Sequence, residues 1–262
     1  MPRAILYDST LCIGCKACEG ACAERWGFPY NDKVAAEESL SAHKLTAIQT
    51  HGDHFSRRLC MNCVQPACAS VCPVGALQKT TLGPVTYDAE KCMGCRYCMQ
   101  ACPFQVPTYE WSALLPRMRK CDMCYARQSQ GKLTACAEAC PTGATKNGDR
   151  DELIAEARRR IAQKPDQYYG RIYGLQEVGG TSVLYLSAVP FEQIGLRTHV
   201  PMEPLPETTW RVLELLPDVV STGSVLLGGI WWITNRRGEV VRAEAAAKPG
   251  APGTTRKEGH RQ

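Results

Sequence analysis

The chain has 262 residues, 44% of them hydrophobic, a formal charge of +5 and sixteen cysteines. That length allows one large domain or two modest ones, and cysteines only two residues apart argue against a disulfide-stapled secreted scaffold, because such pairs chelate better than they cross-link. The positive balance does not point to nucleic acid, since it counts every thiol as neutral and would reverse if the thiols were thiolate ligands.

The N-terminus, MPRAILYDSTLC, shows neither an apolar signal-peptide core nor a twin-arginine pair, and a candidate ligand arrives at Cys12. The cysteines fall into four groups. The first is Cys12, Cys15, Cys18 and Cys22; the second is Cys60, Cys63, Cys68 and Cys72. The third is Cys92, Cys95, Cys98 and Cys102; the fourth is Cys121, Cys124, Cys136 and Cys140. Groups one and three read C-x2-C-x2-C-x3-C, while group two widens the middle gap to four residues and group four to eleven. Every group closes with C-x3-C, followed by Pro73, Pro103 and Pro141 in three of them and by Ala23 in the first. VCPVGAL and ACPTGAT, at the close of groups two and four, match each other, so the chain holds an internal repeat.

Residues 23–59 read as an insertion of mixed polar character with three histidines. ALQKTTLGPVTYDAEKC predicts a hairpin, with strands Ala76–Lys79 and Val85–Asp88 around Gly83-Pro84. After Cys140, GDRDELIAEARRRIAQKP predicts a helix: Asp149 and Glu152 form a capping box, Pro165 follows the end, and Leu153, Ile154, Ala157 and Ile161 make one apolar stripe. Thr181–Val189 reads as a strand. From Trp210 to Trp232 a helix would run about 33 Å, near the ~30 Å hydrocarbon thickness. No charge lies between Val219 and Ile233, tryptophans stand at both ends, and Arg236 and Arg237 follow. A buried docking helix is the alternative, favoured by Arg211, Glu214, Pro217, Asp218 and the Gly228-Gly229 pair.

Thiolates in this pattern select iron. A cubane takes four soft ligands; three come from the tight C-x2-C-x2-C loop, and in the ferredoxin pattern the fourth ligates the neighbouring cluster. Adjacency then pairs Cys60, Cys63 and Cys68 with Cys102, and Cys92, Cys95 and Cys98 with Cys72. The trailing proline fixes the chain direction and removes a backbone donor. Zinc, which uses two separated CxxC pairs, leaves the third and fourth cysteines of each group unexplained. Sixteen ligands fill four [4Fe–4S] clusters with none left over, and four oxidised clusters would add roughly −8 to the charge. His43, His51, His54, His199 and His260 are expected in solvated surface or loop roles, and Tyr97 and Tyr125 as packing that keeps water from the clusters. No nucleotide-binding or hydrolytic motif occurs, so no catalytic residue is assigned.

The stretches CIGCKACEGACAE, CMNCVQPACASVCP, CMGCRYCMQACPF, CDMC and CAEACPTGA resemble the four-cluster iron–sulfur subunits of membrane-bound respiratory oxidoreductases. These include the beta subunits of formate dehydrogenases and the ferredoxin-like subunit of membrane nickel–iron hydrogenases. LYDSTLCIGCKAC and GGTSVLYLSAVPFE look closer to the hydrogenase type, and the resemblance runs to about residue 237. It implies an α+β fold of two ferredoxin-like dicluster domains related by pseudo-two-fold symmetry, followed by a C-terminal helix that spans the membrane. The outer domain would be 1–59 plus 103–148 and the inner 60–102. A helix–strand extension (149–209), a transmembrane or docking helix (210–235) and a basic flexible tail (236–262) would follow.

With elimination, the resemblance also implies the outer pairing: Cys12, Cys15 and Cys18 with Cys140, and Cys121, Cys124 and Cys136 with Cys22. The implied role is non-catalytic electron transfer between a catalytic oxidoreductase subunit and an integral-membrane cytochrome b or quinone-reducing subunit, with no nucleic acid. A soluble polyferredoxin is the alternative. The basic tail places the C-terminus in the cytoplasm and the cluster domain in the periplasm, exported with a signal-bearing partner; a cytoplasmic cluster domain is the other arrangement.

Overall fold

The cysteine groups occupy loops and short helices strung between hairpins. In the computed structural model, which describes residues 1–114 and 116–247, strand β1 (Arg3–Asp8) leads to helix α1 (Ala17–Trp26), which carries Cys18 and Cys22. Helix α1 ends at Gly27, whose φ of 65° turns its N–H back onto the Ala23 and Glu24 carbonyls. The insertion holds helix α2 (Asp32–Ala36), capped by the Asn31 side chain, and an antiparallel hairpin of β2 (Thr46–His51) and β3 (His54–Leu59). It is not merely polar, as its composition suggested: Ala47, Ile48, Arg57 and Leu59 are buried core.

Next come α3 (Ala67–Ser70), the hairpin β4 (Leu77–Lys79) and β5 (Val85–Tyr87), and α4 (Tyr97–Gln100). This is the hairpin expected from Gly83-Pro84. Its tip meets the start of β1, where the Arg3 N–H donates to the Leu82 carbonyl at 2.7 Å and a Cβ on Gly83 would lie 2.7 Å from the Arg3 oxygen. Strands β6 (Thr108–Tyr109) and β7 (Met118–Arg119) pair, followed by α5 (Tyr125–Gln128) and α6 (Ala135–Glu138). Helix α1 packs against α6, and α3 against α4.

Strand β8 (Thr145–Asp149) runs into α7 (Arg150–Gln163), and β9 (Val183–Leu186) completes a three-stranded sheet in the order β8-β1-β9. Strand β1 pairs antiparallel with β8 (Tyr7 opposite Thr145) and parallel with β9 (Tyr7 opposite Tyr185). Neither β1 nor β9 alternates in polarity, because both faces are covered. Ile5, Tyr7, Val183 and Tyr185 face the cysteine-bearing core, while Ala4, Leu6, Leu184 and Leu186 face Leu153, Ile154 and Ala157 of α7. The Asp149 carboxylate accepts from the N–H groups of Asp151 and Glu152, the cap the sequence indicated. Strand β9 is shorter than Thr181–Val189: the Thr181 hydroxyl donates to the Gly174 and Val183 carbonyls, and the Ser187 hydroxyl accepts from the Val189 N–H.

The chain divides into two units, Met1–Thr208 and Thr209–Gln262. Helix α8 (Leu205–Leu213) breaks before Pro217, and α9 (Leu216–Ala247) resumes with that proline in its first turn. Together Leu205–Ala247 are long and apolar enough to cross a membrane. The helix does not stop at 235. Arg236, Arg237, Glu239, Arg242 and the alanines beyond are good helix formers, so residues 236–247, expected in a flexible tail, are helical. Along α9 no side chain is buried; Val225 is 75% exposed and Trp231 66%. The remainder of the tail, with His260, lies outside the described residues.

Candidate metal centres

Each ligand loop is bent by the same device. The residue before the second cysteine is left-handed in all four groups: Gly14 (φ 68°), Asn62 (46°), Gly94 (74°) and Met123 (49°). Lys16 (57°) and Arg96 (66°) follow suit after the second cysteine of groups one and three. In groups one to three the left-handed residue is followed by one of the other hand, and such successive residues turn their N–H groups into one concavity, which suits an anion or an iron–sulfur group; in group four Cys124 (54°) is left-handed as well. Asn62 is held there by its amide, which donates to the Cys60 and Cys121 carbonyls and accepts from the Val85 N–H at 2.9 Å.

The proline after the last cysteine starts a second turn. The carbonyls of Cys72, Cys102 and Cys140 accept from the N–H groups of Gly75, Gln105 and Gly143, at 3.2, 3.1 and 3.4 Å. Proline presets φ at the second position of such a turn, and all three end residues are left-handed. Beyond the turns, N–H groups act on sulfur: those of Val106, Phe104 and Gln105 oppose the rise that burial gives Cys102, and that of Thr145 donates to Cys140 Sγ, 3.4 Å away.

Among the cysteines, the structure brings members of different groups together. Cys12, Cys15, Cys18 and Cys140 line one small cavity with Tyr7 and Ile48. The Cys121 thiol is felt by Cys22, Cys124 and Cys136. Cys63 is surrounded by Cys60, Cys102 and Cys68. Cys98 faces Cys92 and Cys95 in a core that also takes in Cys72. Cys18, Cys98, Cys121, Cys124 and Cys136 are buried, whereas Cys15 and Cys95, in equivalent positions of groups one and three, are exposed.

Burial dominates the electrostatics. It pushes the Cys18, Cys22 and Cys68 thiols up to about 12 and raises Cys63 and Cys121 further. Cys140 is the exception: burial raises it, but the Thr145 N–H and the Thr142 hydroxyl more than offset that, leaving it below its usual value. Three cations lie among these sulfurs. Lys79 donates to the Cys63 carbonyl at 2.8 Å and, chiefly through burial, falls to about 8. Lys120 donates to the Val85 and Cys121 carbonyls, and Arg57 is fully buried between groups one and four. Elsewhere, Arg25 on α1 clamps Asp122 with two bonds of 2.8 and 2.7 Å, and Lys44 pairs with buried Glu19 at 2.8 Å, tying the insertion to α1.

Three tyrosines that the sequence did not single out lie by the sulfurs: Tyr109, whose hydroxyl is 3.3 Å from Cys98 Sγ, Tyr7, which donates to the Phe55 carbonyl at 3.0 Å and feels the charge of Cys12, and Tyr87, which accepts from the Met118 N–H at 3.3 Å and feels that of Cys92. Tyr97 and Tyr125, expected to shield the clusters, are exposed instead, each at the start of a short helix, α4 and α5. The one local signal for the others was apolar context: Tyr7 and Tyr87 sit in strands. His43 and His199 are exposed and His51 and His54 half-buried, none among the cysteines.

The residues fit iron–sulfur groups by the chemistry of their donors. Soft thiols from different groups lie near one another, five of the sixteen are buried, and inward N–H groups and buried cations stabilise negative charge at sulfur.

The comparisons with known proteins agree. The 4Fe-4S dicluster domain family matches residues 52–150. A Nitratidesulfovibrio vulgaris protein is 40% identical, over 92% of this chain and 69% of its own length. The hydrogenase-2 operon protein HybA of Escherichia coli O157:H7 is 35% identical, over 85% of this chain and 83% of its own. The formate dehydrogenase iron-sulfur subunit of Haemophilus influenzae is 34% identical, over 87% and 77%. With paired C-x2-C loops, sulfurs gathered across groups and relatives matched along most of their length, the chain belongs to the 4Fe–4S dicluster family of electron-transfer iron–sulfur proteins that includes HybA and the formate dehydrogenase iron–sulfur subunits.

Proposed function

We propose that this chain is a non-catalytic subunit that passes single electrons through four [4Fe–4S] clusters, between a catalytic subunit and a membrane cytochrome or quinone-reducing subunit. The catalytic partner would be a hydrogenase, a formate dehydrogenase or another molybdopterin-type enzyme. Cys12, Cys15, Cys18 and Cys140 hold the first cluster, and Cys121, Cys124, Cys136 and Cys22 the second. Cys60, Cys63, Cys68 and Cys102 hold the third, and Cys92, Cys95, Cys98 and Cys72 the fourth. The observation that carries the reading is that sulfurs from different groups share one surround, as Cys102 does with Cys60, Cys63 and Cys68. The packing of α1 on α6 and of α3 on α4 supports two similar dicluster halves.

Each bound cluster supplies one-electron redox chemistry. The chain's own residues do the rest. Backbone N–H groups and the Tyr109 hydroxyl hold charge at sulfur, and the β8-β1-β9 sheet closes one side against water. The loops of Cys15 and Cys95 come to the surface beside exposed Ile13 and Met93, which suits electron entry and exit. Helix α9 anchors the chain, its uncovered apolar side chains facing lipid, with the C-terminus cytoplasmic and the cluster domain periplasmic.

Iron and sulfide analysis of anaerobically purified chain tests the ligand sets: about sixteen iron per chain is expected, four per cubane, and values well below that count against them. Membrane partition of a chain lacking residues 210–262 tests the anchor. Unchanged association would leave α9 no anchoring role, and a soluble wild-type chain would favour the polyferredoxin reading.

A further inference from the structure

Arg57 is an unusual place for a charge. It sits in β3 opposite Ile48 and is 1% exposed. Its Nε donates to the Thr46 hydroxyl at 2.8 Å and its Nη1 to the Thr145 hydroxyl at 3.2 Å, and the Tyr185 hydroxyl holds its carbonyl at 2.7 Å. Among the described residues no carboxylate pairs with it. A guanidinium has five N–H donors, and a lone buried cation is costly unless something compensates it. The charges that act on it are those of sulfurs: Cys136, Cys18 and Cys121. Cys22 feels it as well. Its partner Thr145 in turn donates its N–H to Cys140. One side chain therefore reaches ligands of both sets that join groups one and four.

The other buried cations are placed differently. Lys79 and Lys120 bind backbone carbonyls near Cys60, Cys63 and Cys68. Reduction adds negative charge to a cluster, so a fixed positive charge beside it favours the reduced form. In a water-poor interior that influence is weakly screened. Arginine suits this task because it stays charged and its planar fork bonds in several directions at once.

We infer that Arg57 is the shared counter-charge of the two clusters built from groups one and four, a positioning residue that raises both of their reduction potentials together. The inference rests on the ligand sets proposed above. Its test uses the full chain, purified anaerobically, with iron and sulfide counted before EPR-monitored redox titration. Signals lost in Cys15→Ser and Cys124→Ser identify the two clusters.

In Arg57→Gln, with iron content retained, both midpoints fall by at least a tenfold change in the redox equilibrium, about 59 mV for one electron, and the other two clusters do not move. Arg57→Lys, keeping charge on a shorter and more compact head, falls in between for both. Unmoved midpoints, or a shift confined to one cluster, overturn the proposal. Should Arg57→Gln fail to load, Arg57→Lys decides: midpoints at or above wild type for either cluster overturn it. A wild-type chain far short of sixteen iron defeats the ligand sets themselves, whereas full iron with unmoved potentials defeats only the role of Arg57.

Discussion

Replacing Tyr109 with phenylalanine isolates one hydrogen bond to one ligand. The hydroxyl lies 3.3 Å from Cys98 Sγ, the residue is 3% exposed, and the ring is packed against Trp111 at 5.7 Å, so the variant loses an oxygen without losing its place. A hydrogen bond to a charged acceptor is worth about 1.5–3 kcal/mol. Only the part that differs between oxidised and reduced cluster moves a potential. Taking about a third of it, roughly 0.5–1 kcal/mol, and converting at 59 mV per tenfold for one electron, the midpoint should fall by about 20–40 mV. The direction follows from the reduced, more negative cluster attracting the donor more strongly. The assay is EPR-monitored titration of Tyr109→Phe beside Cys72→Ala and Cys102→Ala. The cluster that shifts must be the one altered by Cys72→Ala and left intact by Cys102→Ala. A rise, no shift, or a shift in the cluster that Cys102→Ala removes would refute both the bond's role and the crossing of ligands between groups.

Breaking the buried Lys44–Glu19 pair by Glu19→Ala should cost about 3–5 kcal/mol, while Glu19→Leu with Lys44→Met should cost much less than the two single changes summed; urea midpoints of the holoprotein decide, and simple additivity would contradict the pairing. Gly174→Ala should destabilise by about 1–3 kcal/mol, because φ is 92° and a Cβ would lie 2.3 Å from the Val183 oxygen; an unchanged melting temperature would sink this. Cluster loading should improve with pH. Burial lifts Cys18, Cys22 and Cys68 from about 9 to about 12, so each must shed a proton to ligate, and reconstitution with iron and sulfide should be fuller at pH 8.5 than at 6.5 with acid released. For the same raised thiols the unloaded fold keeps their contribution below pH ~9 and loses it as pH climbs toward 12. An unloaded chain growing more stable over that window would contradict the sign.

The parts that local chemistry governs could be read before any fold was known. Cys-x2-Cys loops close within a few residues, so their spacing alone announces ligand loops, and Gly83-Pro84 announces its hairpin. Asp149 capping α7 and Pro165 beyond its end are equally local. The β2–β3 hairpin was not legible, because residues 23–59 look polar until Arg57 is seen to be buried. Nor was the outward turn of Tyr97 and Tyr125, or the inward turn of Tyr109.

By itself the sequence determined the donor type, the number of cysteines and the loops that carry them, since those depend on residues a few positions apart. Tertiary structure alone decided which distant groups share a surround. Strand β1 joins Thr145–Asp149 on one side and Val183–Leu186 on the other, and Arg57 meets Thr145 across 88 positions. Such pairings follow from burying both faces of one sheet, a requirement the whole chain meets and no single segment records.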